Sequence, residues 1–319
     1  MDLLKPLPIS LALVTVGVAA FFRILASNRV RLAQAQQDLV NVKLSSSSHV
    51  PVAIFVGGTA GIGQGMAEAL ALKTNGNCHI ILIGRNETAA KAIISKFPKP
   101  TVPGAKHEFV RCDATLMKNI EQTTKELLAR DETEEGMDSK FALAYYGRFK
   151  FIRDLTPTLE NARRNGEEAK VYMVAGPGRG KYIDWNDLGL KRTKSFLLEF
   201  RAQLPLYLDI ILQELAARVP FPIVHADPGI VRTTLGSNAV WPVPYILKLI
   251  FILCYPWTLS YSESGVYMLR AMLVTAKGSG VWSVGKHGYV LPEGSIHVAS
   301  EQERRRLWEH TVEETNIKE

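Results

Sequence analysis

Short apolar runs alternate with longer amphipathic segments along most of this chain. Val52–Val56, His79–Ile83 and Glu108–Cys112 have the length and the composition of buried strands. Lys170–Ala175 and Pro222–His225 repeat the pattern nearer the C-terminus. Because helical segments separate these runs, the alternation predicts an α/β fold, a doubly wound parallel sheet with helices on both faces.

The segments around the strands show helical periodicity, and one of them contains a breaker. Pro205 is expected to interrupt the longest segment. The predicted helices are Ile62–Leu72, Thr88–Lys96, Leu116–Arg130, Phe141–Leu155, Ser195–Arg218, Tyr261–Val274 and Ser300–Thr315.

Trp241–Leu259 is strongly apolar but also contains prolines and Lys248, which make a membrane-spanning helix an unfavourable interpretation. The segment predicts a substrate lid or a helix that lies in a membrane interface. An ordinary core helix is an equally good interpretation.

The sequence predicts that the N-terminus is a separate structural element. Leu7–Phe22 carries no charge and is mostly apolar, with Lys5 before it and basic residues after it. This charge bias predicts an N-terminal membrane anchor, roughly residues 7–25, and a main domain that faces the cytosol. A cleaved signal peptide is the alternative, because Gly17–Ala20 supplies small residues.

These features divide the chain into three regions. Residues 1–28 form the predicted anchor or signal-like segment, and residues 29–49 form a polar linker that contains Ser45–Ser48. Residues 50–319 form the predicted globular domain.

Composition narrows the functional classes. The 319 residues include 47% hydrophobic and 22% charged residues, which is typical of a folded protein. The three cysteines form no disulfide framework and no metal-ligand pattern. The net charge of +7 favours anionic cofactors or membrane surfaces. Nucleic-acid binding is not expected, because the basic residues are not interleaved with aromatic ones.

A glycine-rich turn joins the first predicted strand to the first helix: Gly57-Gly58-Thr59-Ala60-Gly61-Ile62-Gly63. Such a turn lets the backbone approach a dinucleotide, and the N-terminus of the helix then faces the pyrophosphate. A turn of glycines without a ligand is the weaker alternative, given the strand–turn–helix context.

Cofactor choice depends on the end of the second strand, Ile83-Gly84-Arg85-Asn86. An acid there would bind the ribose 2′-hydroxyl of NAD. The guanidinium of Arg85 suits a 2′-phosphate instead, which predicts NADP as the cofactor. A surface arginine without a ligand is the alternative.

Four further segments complete a pattern that resembles the short-chain dehydrogenase/reductase superfamily over residues 52–291. More narrowly, it is similar to the divergent oxidoreductases of fungal secondary-metabolite pathways. The segments are Gly136–Phe149, Asp187–Lys191, Leu212–Arg218 and His225–Thr233.

The resemblance implies a Rossmann-type fold and a set of cofactor contacts. The family motif TGxxxGxG maps onto Val56–Gly63, where Val56 replaces the threonine. Asp113 matches the acid that contacts adenine, although it is also a candidate helix N-cap. The implied cofactor-binding residues are Gly57, Thr59, Gly61, Ile62, Gly63, Arg85, Asn86, Asp113, Pro228, Gly229, Val231 and Thr233. The family also suggests dimers or tetramers.

The residues at the expected catalytic positions depart from the family pattern of Ser, Tyr and Lys. Ala175 stands where the serine should end the strand, and Leu197 and Arg201 stand near the tyrosine and lysine positions. Tyr207 matches a tyrosine of the fungal subgroup and is the tentative catalytic acid. A half-buried helix aromatic without a catalytic role is at least as good an interpretation of Tyr207.

A second departure is a missing strand. The family places a central strand between Asp113 and Gly147, but no apolar run lies between Leu128 and Phe141. Its loss is expected to leave unpaired backbone groups in the sheet, unless neighbouring strands close the gap.

Three functions are compatible with these patterns. The preferred one is an NADP(H)-dependent oxidoreductase that acts on a small lipophilic carbonyl or alcohol in secondary metabolism. The second is a catalytically degenerate NADP-binding or scaffold protein. The third is an isomerase or dehydratase that uses His225 and Asp227.

Overall fold

The computed structural model describes residues 9–42, 44, 50–128, 141–192, 196–232, 251 and 254–316. The five predicted strands are confirmed to within about two residues, whereas two short strands of two residues each and the last strand were not predicted. The strands are β1 Val52–Val56, β2 His79–Gly84, β3 His107–Arg111, β4 Val171–Val174, β5 Pro222–Ala226, β6 Val231–Arg232, β7 Leu259–Ser260 and β8 Gly280–Val284.

The predicted helices are also present, with shifted ends. They are α1 Ile9–Asn41, α2 Gly61–Lys73, α3 Glu87–Ile94, α4 Met117–Leu128, α5 Gly147–Arg164, α6 Phe196–Ala216, α7 Tyr261–Arg270 and α8 Glu301–Thr315. A π-helical turn, Ala142–Tyr146, precedes α5, and a second one, Ala271–Thr275, follows α7.

The predicted interruption at Pro205 is wrong, because α6 continues through it. Proline removes one donor from the helical hydrogen-bond ladder. A neighbouring loop packs against the same turn, and the Lys181 N–H donates to the Ala202 carbonyl at 2.9 Å.

The main strands form two parallel sheets of three strands each, in the orders β1-β2-β3 and β4-β5-β8. In the described part of the chain, β1 pairs only with β2 and β4 pairs only with β5. Val52 and Val56 of β1 are 62% and 46% exposed, which is unusual for a strand in the middle of a doubly wound fold. The open edges of β1 and β4 agree with the expected gap; residues 129–140, where the family strand would be sought, lie outside the described residues.

One hydrophobic core lies under both sheets. It contains Ile81 and Ile83 from β2, Met173 from β4 and Ile223 from β5, packed against α4, α5, α6 and α8. Alternate side chains of β2 point to the opposite face, as the pleat requires. The shared core therefore joins the two sheets on one face although the described strands do not pair across the gap.

On the other face, α7 packs closely against α2. A side chain at Gly65 would meet the Tyr261 carbonyl oxygen at 2.1 Å, and one at Gly265 would meet the Gly65 backbone at 2.2 Å. The two glycines thus allow the helix backbones to approach each other. Because Val224 of β5 lies in the same cluster as Met268 of α7, this helix contacts both halves of the molecule.

The N-terminal helix α1 packs onto the same face. Ala35 and Leu39 are buried, and Asp38 forms an ion pair with Arg270 of α7 at 2.6 Å. The Asn28 side chain donates to the Pro256 carbonyl at 2.8 Å. Residues 28–39 are thus part of the packed domain, although the sequence predicts a linker from residue 29.

The predicted membrane anchor is not supported. Among the residues that the structure describes, none of the helices has the length and apolar character needed to cross a membrane. Most of Trp241–Leu259, the segment interpreted as a lid, an interfacial helix or a core helix, lies outside the described residues.

Candidate cofactor and active site

The glycine turn adopts the backbone that its sequence predicts. Gly57 and Gly61 have positive φ angles of 81° and 57°, which side chains other than glycine rarely adopt. A side chain at Gly63 would lie 2.6 Å from the Gly57 carbonyl oxygen, so this position has room only for hydrogen. Open space surrounds the missing side chain of Gly57. The turn is therefore closed on its protein side and open toward a ligand.

The N-terminus of α2 has no side-chain cap. Ala60 stands at the N-cap position in an extended conformation and cannot accept a hydrogen bond with its methyl group. The first-turn residues Gly61, Ile62 and Gly63 consequently present backbone N–H groups and the positive end of the helix dipole. This arrangement fits the pyrophosphate of a dinucleotide.

The end of β2 lies beside this turn. A side chain at Gly84 would meet the Thr59 hydroxyl oxygen at 3.1 Å, so Thr59 covers the last residue of the strand. Arg85 follows directly and is exposed. Asn86 caps α3, since its side-chain oxygen accepts the Ala89 N–H at 2.9 Å. The structure thus places Thr59 beside Gly84, one residue before Arg85, and it gives Asn86 a local structural role.

Asp113 follows β3 and serves as a local turn residue. Its carboxylate accepts the Thr115 N–H at 3.1 Å and the Thr115 hydroxyl at 2.8 Å. Partial burial raises its pKa, but the Thr115 hydrogen bonds and the positive charge of Arg85 outweigh this effect, so the pKa lies below its usual value. Asp113 is therefore ionised and lies within the electrostatic reach of Arg85.

The loops after β4, β5 and β8 meet near Pro228. Asp227, at the end of β5, accepts the Gly229 N–H at 2.9 Å and pairs with Arg179 from the loop after β4. A side chain at Gly229, whose φ is 66°, would lie 3.0 Å from the Cβ of Lys286. The Pro-Gly turn is thus held between groups from the two neighbouring loops.

Val231 is half-buried in β6, which pairs with β7 through Leu259. Thr233, the other residue expected near the nicotinamide, lies outside the described residues.

Comparison with known proteins assigns the family. A protein-family model described as the KR domain matches residues 52–148. Oxidoreductase AN1596 of Emericella nidulans is 30% identical over 236 residues, which cover 67% of this chain and 68% of that protein. The chain belongs to the short-chain dehydrogenase/reductase family.

Two further similarities add to this assignment. The polyprenol dehydrogenase of Homo sapiens is 26% identical over 293 residues, covering 83% of this chain and 85% of that protein. The crystal structure of NADPH-bound carbonyl reductase from chicken fatty liver superposes with a TM-score of 0.51 at 16% identity, covering 76% of this chain and 99% of the other. That structural likeness shows the common fold.

In this short-chain dehydrogenase/reductase, the position of the family serine carries no hydroxyl. Ala175 follows β4 and donates its backbone N–H to the Ala226 carbonyl at 2.9 Å. Leu197 and Arg201, near the family tyrosine and lysine positions, are both exposed on α6. The described residues at these three positions therefore lack the hydroxyl groups and the lysine of the family pattern.

Tyr207, the tentative acid, has no exposed surface. Its ring packs edge-on against Phe141 and Tyr145, at centroid distances of 5.4 and 5.2 Å. The phenol oxygen accepts a long hydrogen bond from the Gly189 N–H, and burial raises the pKa of Tyr207. The hydroxyl is therefore enclosed by the core, and the side chain is more deeply buried than the half-buried aromatic of the alternative interpretation.

His225, the candidate base of the isomerase hypothesis, is also enclosed. Its Nδ1 lies 2.9 Å from a carboxylate oxygen of Asp209, and both side chains are essentially fully buried. The contact has the length of an ion pair but not the alignment of a hydrogen bond, and Nε2 of His225 has no partner among the described residues. The second Asp209 oxygen accepts the Gly178 N–H at 2.9 Å. Asp209, buried against His225, thus holds the loop after β4 in place through the Gly178 N–H.

The sequence did not reveal the position of Arg148. This residue lies in the first turn of α5, and its guanidinium donates to the Val174 carbonyl at the end of β4. Burial lowers the pKa of Arg148. No pattern in the sequence brings residue 148 to residue 174, because the contact depends on how α5 crosses the sheet.

Proposed function

We propose that this chain is an NADP(H)-dependent oxidoreductase that acts on a lipophilic carbonyl or alcohol. The observation that carries the proposal is the exposed guanidinium of Arg85, which stands at the end of β2 beside Thr59 and the uncapped N-terminus of α2. A cation at this point favours the 2′-phosphate that distinguishes NADP from NAD.

The residues present fit the cofactor. Gly61, Ile62 and Gly63 would hold the pyrophosphate through the N-terminus of α2, and Arg85 would hold the 2′-phosphate. The Pro228-Gly229 turn would border the nicotinamide, as the family resemblance implies. When bound, the reduced cofactor supplies the hydride.

A lipophilic substrate is supported by the relatives and by the surface near the cleft. One relative is named for the oxidation of polyprenol, and another is a fungal oxidoreductase. In the segment before β7, Tyr255 and Trp257 are 47% and 52% exposed. A role in fungal secondary metabolism is the finer proposal that we draw from the resemblance.

Titration of the purified full chain with NADPH and NADH tests cofactor choice. We expect tighter binding of NADPH, and we expect Arg85→Gln to weaken it about 10- to 100-fold through loss of a charge-assisted hydrogen bond. NADH binding should not change. Arg164→Gln, at the exposed end of α5, is the matched control. Equal weakening of both cofactors by Arg85→Gln would contradict the assignment.

A catalytically degenerate NADP-binding protein is the second candidate. The absent hydroxyl at Ala175 and the enclosed Tyr207 favour it. A screen of lipophilic ketones and alcohols with the NADPH-loaded chain separates the two candidates. Substrate-dependent NADPH oxidation supports the enzyme, whereas tight cofactor binding without any turnover supports the degenerate protein.

A further inference from the structure

Arg148 contacts the open edge of β4. Ala175 donates its N–H to β5, so the carbonyl of Val174, one residue earlier, points away from β5 toward the open edge of β4. The Arg148 guanidinium donates to this carbonyl. It therefore lies at the open edge of β4, at the carboxyl end of that strand and one residue before Ala175.

This is the place where an open parallel sheet binds its ligand. In doubly wound folds, ligands lie outside the carboxyl ends of the strands, at the point where the strand order reverses. The described strands follow the orders β1-β2-β3 and β4-β5-β8, so Arg148 lies at the carboxyl end of the first strand of the second sheet.

The guanidinium is poorly neutralised. Within the described ranges, Arg148 makes one hydrogen bond, to a neutral carbonyl, and no ion pair. A guanidinium has five N–H donors, so most of its hydrogen-bonding capacity is free. Arg148 is half-buried, and leaving a partly desolvated charge without a counter-charge is costly. An anionic oxygen at this point would reduce that cost.

We infer that Arg148 is an anion-binding residue of the active site and that it binds the substrate oxygen on which negative charge develops during carbonyl reduction. This inference rests on the proposed function. The cofactor phosphates already have the N-terminus of α2 and Arg85, whereas the end of β4 offers no hydroxyl at Ala175. The guanidinium thus provides the donors that this edge otherwise lacks.

Arg148 would stabilise the negative charge on the carbonyl oxygen and would not transfer a proton. Hydride addition forms a C–H bond and moves the π electron pair of the carbonyl onto its oxygen; the reduced cofactor is oxidised and the carbonyl is reduced. Arg148 stays protonated throughout, because a guanidinium does not release its proton near neutral pH. A water molecule supplies the proton that completes the alcohol and leaves as hydroxide.

The test compares Arg148→Met, Arg148→Lys and the control Arg164→Met in the full chain. We expect Arg148→Met to lower kcat about 100- to 1000-fold, as for removal of an oxyanion donor, while the Kd for NADPH changes less than about threefold. Arg148→Lys keeps the charge but loses the fork, so its loss should be about tenfold. The Arg164→Met variant should match the wild type.

A second measurement needs neither cofactor nor turnover. Inorganic sulfate should raise the Tm of the wild-type apo chain more than that of Arg148→Met, by about 2–4 °C at matched ionic strength. If the wild type turns over no substrate, the proposed function fails, but this difference still reports the anion site. If Arg148→Met does not melt cooperatively, kcat and the sulfate-dependent change in Tm are both measured on Arg148→Lys instead.

Three outcomes overturn the inference. Unchanged kcat in Arg148→Met shows that no charged oxygen binds there during reduction. If Arg148→Met raises the Kd for NADPH tenfold or more while kcat at saturating NADPH stays normal, Arg148 binds a cofactor phosphate and not the substrate oxygen. Equal sulfate responses in the wild type and Arg148→Met show that Arg148 is already neutralised within the protein.

Discussion

The two sheets differ in whether the polar and charged groups at their strand ends already have partners within the protein. After β1 and β2, the helix N-terminus lacks a cap and Arg85 is exposed, so these groups are open to a ligand. After β4 and β5, Asp227 pairs with Arg179, and the Asp209 carboxylate lies 2.9 Å from His225 in a contact without hydrogen-bond alignment. The N-terminus of α2 and Arg85 are therefore open to an anion, whereas these two acids already face side chains of the protein and Arg148 donates only to a neutral carbonyl.

This difference explains why the sequence predicts cofactor-binding residues after β1 and β2 but no complete catalytic set after β4 and β5. Backbone N–H groups bind phosphate wherever a strand, a glycine turn and a helix follow one another, so the motif is local. Catalytic chemistry depends on side chains that meet through space. In this chain the family side chains are replaced at the expected positions, and no local motif marks what replaces them.

The largest expected effect tests the open half. Gly63→Ala would place a methyl group 2.6 Å from the Gly57 carbonyl and push the turn out of position. Because at least two hydrogen bonds from the turn to the charged pyrophosphate would be lost, each worth about 1.5–3 kcal/mol, we expect NADPH binding to weaken by at least about 100-fold. Gly17→Ala, where a side chain meets nothing within 4 Å, is the matched control. Normal NADPH affinity in Gly63→Ala would contradict the assigned cofactor site.

A second variant tests whether the two halves behave as one unit. Asp38→Asn breaks an ion pair whose side chains are 19% and 10% exposed, and this pair joins α1 to α7. We expect the free energy of unfolding to fall by about 3 kcal/mol, measured by urea denaturation at pH 7. The exposed Glu168→Gln should change it by less than about 0.5 kcal/mol. Two separate unfolding transitions in Asp38→Asn would show that the halves are independent.

The same pair predicts a dependence on pH. The hydrogen bonds from Arg270 and Gln34 lower the pKa of Asp38 in the folded state below its usual value. Its contribution to stability is therefore complete above the unfolded pKa, near 4, and is lost as the pH falls through the folded pKa. The difference in stability between wild type and Asp38→Asn should shrink steadily below about pH 4. A constant difference down to pH 2 would show that the carboxylate charge is not what stabilises α1.

The smallest expected effect concerns the enclosed half. Tyr207→Phe removes a hydroxyl that has no exposed surface and one weak contact. We expect turnover to stay within about threefold of the wild type and stability to change by about 1 kcal/mol or less. Complete loss of turnover with unchanged NADPH affinity would instead identify Tyr207 as the acid and would require α6 to expose it.

Particular elements show what the sequence could and could not reveal about the fold. β1 to β5 were predicted because each is a compact apolar run. β8 was missed because its apolar run is short, follows Gly278 and begins at Gly280, and both glycines have positive φ. α1 was divided into an anchor and a linker, because its buried stripe of Ala35 and Leu39 is mixed with polar residues. Its partner, Arg270, is more than two hundred residues away, so the sequence gives no local sign of the contact.

The same limit applies to the site. The sequence predicted the positions of Gly57, Gly61 and Gly63 because their spacing encodes a turn. It placed Arg85 correctly at the end of a strand for the same reason. The burial of Tyr207 and the approach of Arg148 to β4 follow from helix packing, which single-chain patterns do not encode.

The core beneath both sheets has a consequence for how this fold can change over evolutionary time. Ile83 and Met173 belong to one cluster although the described strands do not bridge them. A strand in the centre of such a sheet can be shortened or exchanged without dividing the molecule, since helices on one face hold the two sides together. Insertions and deletions at the gap are then tolerated more readily than substitutions in the layer of helices below it.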